Sequence, residues 1–386
     1  MKTVVGVFFG GRSTEHEISV ISANQAINAM NPEKYEIIPI YISKEGRWYT
    51  GRDLLTLSNY RKIPALLAKC TEVYMRPVYG DFNLYTVRKP LFGKDVLATL
   101  DLAIPVLHGT NVEDGKFEGV LETIGIPYAG CDTLASANGM DKITMKMILS
   151  ADGIPVVDYQ WLTDKQWAAD REGTLDRIEK ALGYPVIVKP ADLGSSIGIG
   201  AAHNREELAS RLDEAARFSR RLIVEHMVTA LREINCSVLG DVDSYETSVL
   251  EEPVKAEEIL SYGDKYMGGG MHAAKKRIPA ELPDDLAVEC RRLAGETFRV
   301  LSCHGVSRVD LIIDADTNKV YVNEINTIPG SLSYYLWEAA GLSFEQLMDR
   351  LVKLALKRRR DNESKTFEFS ANIFAMTGGI KGGIKK

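Results

Sequence analysis

Residues 305–326, GVSRVDLIIDADTNKVYVNEIN, hold two runs of alternating apolar and polar side chains separated by a segment rich in Asp, Thr and Asn. Alternation with a period of two belongs to strands, and residues 314–319 carry turn chemistry, so the pattern predicts an antiparallel hairpin. Pairing Asp314 with Val320 sets Asp310 opposite Glu324 and Arg308 opposite Asn326. It also puts Glu324 and Asn326 on the face that begins with Val320 and Val322. Carboxylates directly opposite one another lie roughly 5 Å apart and repel unless a cation stands between them. Two carboxylates and an amide oxygen are hard donors that suit Mg²⁺, which usually keeps a phosphate as a further ligand. A solvated acidic hairpin is the other reading of these residues taken alone.

The 386-residue chain has ordinary globular composition, with 45% hydrophobic and 26% charged residues, and room for two or three domains. Its net charge of −6 and the lack of a basic stripe before the tail speak against a nucleic-acid partner held by counterion release. Cys70, Cys131, Cys236, Cys290 and Cys303 are scattered and never in CxxC spacing, which indicates neither a disulfide framework nor a zinc site. The opening MKTVVGVFFGG is too short and too soon broken by glycine for a signal peptide or a membrane span. A cytoplasmic protein with no membrane partner is expected.

The first third alternates strand (TVVGVFFGG), helix (SVISANQAINAM), strand (YEIIPIYIS) and strand (DLAIPVLHG). That order predicts an α/β domain with a parallel sheet and ligand groups at the strand C-termini. A loop, GIPYAGCDTLASANGMDK, then leads into a helix beginning near Lys142. Boundaries are placed to give an N-terminal unit 1–130, a central unit 131–228, a third unit 229–360 and a tail 361–386. The long polar, glycine-rich EEPVKAEEILSYGDKYMGGGMHAAKKRIP reads as a lid or binding loop. SFEQLMDRLVKLALKRRR reads as a helix with an apolar stripe and a basic C-terminus.

Four segments carry chemistry. In FFGGRSTEHEIS, Thr14 and Glu17 have capping-box spacing, which leaves Glu15 available to hold a cation such as an ammonium. The glycine pair there is not GxGxxG, so a dinucleotide fingerprint is absent. PVLHGTNVEDG puts His108, Glu113 and Asp114 in a loop leaving a strand end. VIVKPADLGSSIGIG ends a strand in Lys189 and follows it with small residues and the hydroxyls of Ser195 and Ser196, the makings of a phosphate loop that is not a Walker A. The acidic hairpin is the fourth.

GGRSTEHEIS, PVLHGTNVEDG, GIPYAGCDTLASANGMDK, YPVIVKPADLGSSIGI, REINCSVLG, SRVDLIID and VNEINTIPG stand in the order and spacing of the D-alanine:D-alanine ligases, so from about residue 3 to 357 the chain resembles that family of the ATP-grasp superfamily. The resemblance implies an ATP-grasp fold behind an N-terminal α/β domain, a homodimer, and ATP-driven ligation of two D-alanines through an acyl phosphate for peptidoglycan synthesis. It implies Lys142 and Lys189 as the phosphate and adenine-side lysines, and Glu225 and Glu233 as adenine and ribose contacts. Asp310, Glu324 and Asn326 would hold two Mg²⁺ ions, which Mn²⁺ can replace. Arg308 and the N–H of Gly330 would stabilise an oxyanion, and Glu15 would hold the first ammonium, with His108 and Glu113 lining the same pocket. Ser195 and Tyr266 would bridge Glu15 to a lid that includes Lys265.

The segment after the NTIPG motif is shorter than is usual in that family. Ser331, Ser333 and Tyr334 would supply the hydroxyls that grip the second substrate's carboxylate, or the second substrate is another, such as D-lactate or D-serine. The Gly- and Lys-rich end reads as flexible, with FEFSANIF as a strand docking on the body or a partner subunit. A nucleotide sensor without catalysis would have no need of the two-carboxylate hairpin.

Overall fold

The computed structural model describes residues 2–88, 93–194, 197–253 and 276–367. Its first sheet contains β1 (Thr3–Gly10), β2 (Tyr35–Ile42), β3 (Trp48–Thr50), β4 (Thr71–Met75), β5 (Asn83–Thr86), β6 (Val96–Thr99) and β7 (Leu102–Val106), in the order β6-β5-β4-β3-β2-β1-β7. β1 is flanked by β2 and β7 in parallel, as the strand–helix–strand order predicts. The arm from β3 to β6 is instead an antiparallel meander. Its strands are only three to five residues long, too short for alternation to stand out.

Helix His16–Ala29 follows β1 and buries Val20, Ala23, Ala26 and Ile27. The expected Thr14–Glu17 capping box does not form. The helix starts at His16, so Glu17 is its second residue and falls short of the third-residue position a capping box needs. Glu17 pairs with Lys44 at 2.7 Å instead.

The second sheet is antiparallel, in the order β10-β9-β11-β8, built from β8 (Tyr159–Thr163), β9 (Val186–Pro190), β10 (Gly200–Ala202) and β11 (Arg221–His226). Helices Arg171–Leu182 and Arg205–Ala215 complete its core. The second of these is N-capped by Asn204, whose side chain accepts from the N–H of Glu207.

The third sheet runs β14-β13-β12-β15-β16, from β12 (Leu231–Gly240), β13 (Tyr245–Pro253), β14 (Lys276–Arg277), β15 (Gly305–Asp314) and β16 (Lys319–Asn326). Helix Asp284–Val300 packs on one face through Leu293, Ala294 and Phe298, together with Val309, Leu311 and Ile313 of β15. Residues expected as a loop before Lys142 include a further helix, Thr133–Met140. Its sequence TLASANGM has no apolar stripe, and Gly139 is there because a Cβ would come within 2.9 Å of Thr327 Cγ2.

The hairpin forms with one difference that changes its meaning. Asp314 pairs with Lys319, not Val320, and Leu311 with Val322, while Asp310 still faces Glu324 and Arg308 still faces Asn326. The register shifts between these halves because Asn323 is an extra residue, a β-bulge. A one-residue insertion exchanges the two faces of a strand. Val320 and Val322 therefore share the core with Ile325, while Glu324 and Asn326 are carried to the opposite face with Arg308 and Asp310. The expected sharing of a face by Val320, Val322, Glu324 and Asn326 is thus corrected.

Helix Phe344–Glu363 is opened by a capping box between Ser343 and Gln346. Its buried side, Leu347, Met348, Leu351, Val352 and Ala355, belongs to the core of the first sheet with Val5, Val7, Phe9, Val20 and Ala23. Asp349 accepts from Lys34 Nζ at 2.6 Å and from Tyr35 Oη at 2.8 Å.

Candidate active site

The open face of the third sheet carries one polar row across four strands. Glu251 of β13 pairs with Asn235 of β12, Asn235 with Asp310 of β15, and Asp310 with Glu324 of β16. Asp310 accepts from Arg308 Nε at 2.6 Å and Nη2 at 2.7 Å, and from Asn326 Nδ2 at 3.2 Å. Glu324 lies 3.2 Å from Lys142 Nζ, which also donates to the carbonyl of Leu193 at 2.9 Å. Burial works against the charge of Lys142, but Glu324 outweighs it and holds the ammonium above its ordinary range. Lys142 opens helix Lys142–Ala151, whose N-cap Asp141 accepts from the N–H of Thr144.

A second charged group joins this row from the second sheet. Glu225 on β11 receives Lys189 Nζ of β9 at 2.7 Å on one oxygen and lies 3.2 Å from Lys146 Nζ on the other. Lys189 also donates to Asn323 Oδ1 at 3.1 Å, so the bulged residue ties the phosphate-loop strand to the hairpin. Burial alone would raise the carboxyl of Glu225, but the two lysines bring it down to about 2. Glu233 lies on the same strand as Asn235, two residues earlier, and is partly buried.

The N-terminal domain contributes the ends of β1 and β7. Glu15 is buried, its carboxylate packed so closely on two loops that a Cβ at Gly109 would lie 2.7 Å from Oε2 and one at Gly194 3.3 Å away. His108 donates from Nδ1 to the carbonyl of Ile328 at 2.8 Å and accepts at Nε2 from the hydroxyl of Ser22 at 2.9 Å. Burial depresses its pKa to about 4, which fits the neutral ring this network assigns. Ser22 in turn accepts from the N–H of Ser331 at 2.9 Å. Glu113 accepts from the N–H groups of Gly109 and Ile328, both at 2.9 Å. His108 and Glu113 thus each spend one polar atom on the backbone of Ile328, next to the turn that carries Ser331, and the other on Ser22 and Gly109 respectively.

Burial, with Glu15 nearby, pushes the Glu113 carboxyl up from 4.5 to about 7. The native state then keeps a proton that the unfolded chain gives up near 4.5, so stability falls as pH rises through this window. Relative to Glu113→Gln, the parent chain should lose about 3 kcal/mol between pH 4.5 and 7. Urea unfolding of both proteins at pH 5 and pH 7.5 reads this; the same stability difference at both pH values would show that Glu113 does not titrate there.

Ser331, Leu332 and Ser333 follow one another in the left-handed region, with φ of 52°, 52° and 51°. Such residues cost about 1–2 kcal/mol each outside glycine, and this turn is held by Leu332 N–H on the carbonyl of Pro329 at 2.8 Å and by Ser331 N–H on Ser22. The turn buries Ser333 completely and leaves its hydroxyl without a hydrogen-bond partner, whereas Ser331 is partly exposed. A Cβ at Gly330 would meet nothing within 4 Å, so this residue borders open space. Ser195, Ser196, Lys265 and Tyr266 lie outside the described residues, as does FEFSANIF beyond its first residue.

The sequence reading missed several residues of this site. Asn323 is one, since nothing in KVYVNEIN marks a bulge. Lys146 is another, for which the spacing of four from Lys142 on one helix is the available signal. Glu251 is a third, gathering Asn235 Nδ2 at 3.1 Å, Tyr335 Oη at 2.9 Å and Lys276 Nζ at 3.0 Å beside Arg308. Among the described residues no three His, Cys, Asp or Glu side chains gather to hold a metal ion. The oxygen set of Asp310, Glu324 and Asn326 nonetheless fits a hard cation that completes its shell with phosphate and water.

The chain matches the family model described as D-ala D-ala ligase N-terminus over residues 4–131 and that described as D-ala D-ala ligase C-terminus over residues 148–353. It belongs to the D-alanine–D-alanine ligase family. A D-alanine–D-alanine ligase of Thermosipho melanesiensis is 38% identical over 361 residues, covering 93% of this chain and 95% of that protein. One of Acetivibrio thermocellus is 39% identical, covering 94% and 98%. Among solved structures, the D-alanine–D-alanine ligase of Coxiella burnetii aligns with a TM-score of 0.80 at 30% identity, over 94% of this chain and 96% of that one. The VanG D-Ala:D-Ser ligase of Enterococcus faecalis gives 0.79 at 30% identity, over 92% and 100%. D-alanine–D-alanine ligases have the ATP-grasp fold, and the two antiparallel sheets behind the parallel-cored N-terminal domain are this chain's version of it. They are ATP-dependent enzymes. Among the described residues no helix is long and apolar enough to cross a membrane.

Proposed function

We propose that this chain joins two D-alanines to D-alanyl-D-alanine at the expense of ATP, in the cytoplasm and as a homodimer, supplying a peptidoglycan precursor. The observation that carries the reading is the bulged hairpin, which brings Glu324 and Asn326 to the face of Asp310 and sets Glu324 on Lys142 and the bulged Asn323 on Lys189, in a chain of this family. The proposed units are 1–130, which takes the first D-alanine, and 131–228 with 229–360, which hold ATP between them.

In the proposed reaction the carboxylate of one D-alanine attacks the γ-phosphorus of ATP and ADP leaves. The free amine of the second D-alanine then attacks the acyl carbon, phosphate leaves, and the peptide bond forms. Lys142 and Lys189 place point charges at the phosphates, while Glu225 and Glu233 take the adenine and ribose. Asp310, Glu324 and Asn326 would hold Mg²⁺, two ions in the full site and Mn²⁺ as a substitute, which neutralises phosphate charge during the transfer. Arg308, fixed by Asp310, and the N–H of Gly330 face the oxyanion, whose charge develops only after the amine attacks. Glu15 holds the first substrate's ammonium. His108, Ser22 and Glu113 set the position of the Gly330 turn, and Ser331 offers a hydroxyl to the second carboxylate.

The test is phosphate release from Mg-ATP with D-alanine alone, with mass spectrometry of the product, repeated with D-serine or D-lactate added. D-alanyl-D-alanine as the main product is expected. Turnover of ATP that yields only a mixed product would overturn the choice of second substrate, and no turnover with any pair would overturn the ligase reading.

A further inference from the structure

Lys146 is fully buried, and its Nζ faces Glu225 Oε1 at 3.2 Å. The contact lacks hydrogen-bond geometry, and Lys146 Nζ has no other hydrogen-bond partner, so what it gives Glu225 is charge. Glu225 needs no second lysine to be neutral, because Lys189 already lies 2.7 Å from its other oxygen. Burying an ammonium costs several kcal/mol before any pairing, and a hydrophobic side chain would fill the same helical position more cheaply. The other cation on this edge, Lys142, is taken up by Glu324. Two lysines against one carboxylate leave one net positive charge, and that charge lies toward Lys189, which reaches the hairpin through Asn323.

We infer that Lys146 is a positioning residue for the nucleotide: by balancing the charge of Glu225 from the Oε1 side, it leaves the ammonium of Lys189, which holds Oε2 and Asn323, with positive charge to attract a phosphate of ATP. The inference rests on the proposed nucleotide site, and it concerns a lysine that need not touch the ligand.

Titration calorimetry with Mg-ADP separates the possibilities, using the parent chain, K146M and K146R, each checked for folding by its melting curve. K146M should bind ADP about tenfold more weakly, and K146R within about threefold of the parent. In turnover assays the KM for ATP should rise in K146M while the KM for D-alanine stays unchanged. Parent-like ADP binding by K146M, or an equal rise in both KM values, would overturn the inference. If K146M does not fold, a folded K146R that binds ADP tenfold more weakly would do the same. A parent chain that binds no ADP would remove the nucleotide site itself, a failure distinct from these.

Discussion

Replacing Glu324 with glutamine should lower D-alanine-dependent phosphate release by about 10²–10³-fold, the loss seen when one group that stabilises transition-state charge is removed. Glutamine keeps the shape and one oxygen but removes the charge that faces Asp310 and Lys142 across the site. Its partner Lys142 is buried, so the variant also leaves an ammonium short of its carboxylate and should lose about 1–3 kcal/mol of stability. Initial rates at saturating ATP and a range of Mg²⁺ concentrations, beside a melting curve, separate the two effects. Activity within about fivefold of the parent at every Mg²⁺ concentration would remove Glu324 from the metal set.

The second large effect is on stability. Glu225→Gln leaves the ammoniums of Lys146 and Lys189 buried without their carboxylate, and removing one partner of a buried ion pair costs about 3–5 kcal/mol. At about 2–4 °C per kcal/mol for a sizeable domain, the melting temperature should drop by roughly 10 °C. The pH dependence has a definite sign. The Glu225 carboxyl titrates near 4.5 when unfolded and near 2 when folded, so its contribution is complete above pH 4.5 and fades as pH falls toward 2. The deficit of the variant should therefore be full at pH 7 and shrink in acid. Calorimetric scans at pH 7 and pH 3.5 measure it, and a melting point within 2 °C of the parent's at pH 7 would mean that the buried lysines do not depend on Glu225.

Much of the site was legible because residue type and spacing survive folding. Asp310 and Glu324 face each other as the hairpin pattern predicts, and Lys189 ends its strand as VIVKP predicts. What was not legible depends on geometry that leaves no mark in one sequence. The bulge at Asn323 reassigns the faces of β16, yet KVYVNEIN alternates smoothly through it. Ser331 and Ser333 are chemically alike and two apart, and only the left-handed turn decides that one is buried. The β3–β6 meander was invisible because its stability comes from neighbouring strands and not from any single three- to five-residue piece. His108 and Glu113 stand in the loop where ligand groups are expected, but they meet Ile328 some 220 positions along the chain, a contact that no local pattern encodes.

The placement of helix Phe344–Glu363 has a consequence for how the protein is made. Its Leu347, Met348, Leu351 and Val352 complete the core that Val5, Val7 and Phe9 begin, so the first strand to leave the ribosome waits for nearly the last helix. The other core of the N-terminal sheet is drawn from residues 8–128 and that of the second sheet from residues 162–224, so both can close early, and only the face that helix Phe344–Glu363 covers stays incomplete. The growing chain therefore carries one open apolar sheet face until the C-terminal helix emerges to cover it.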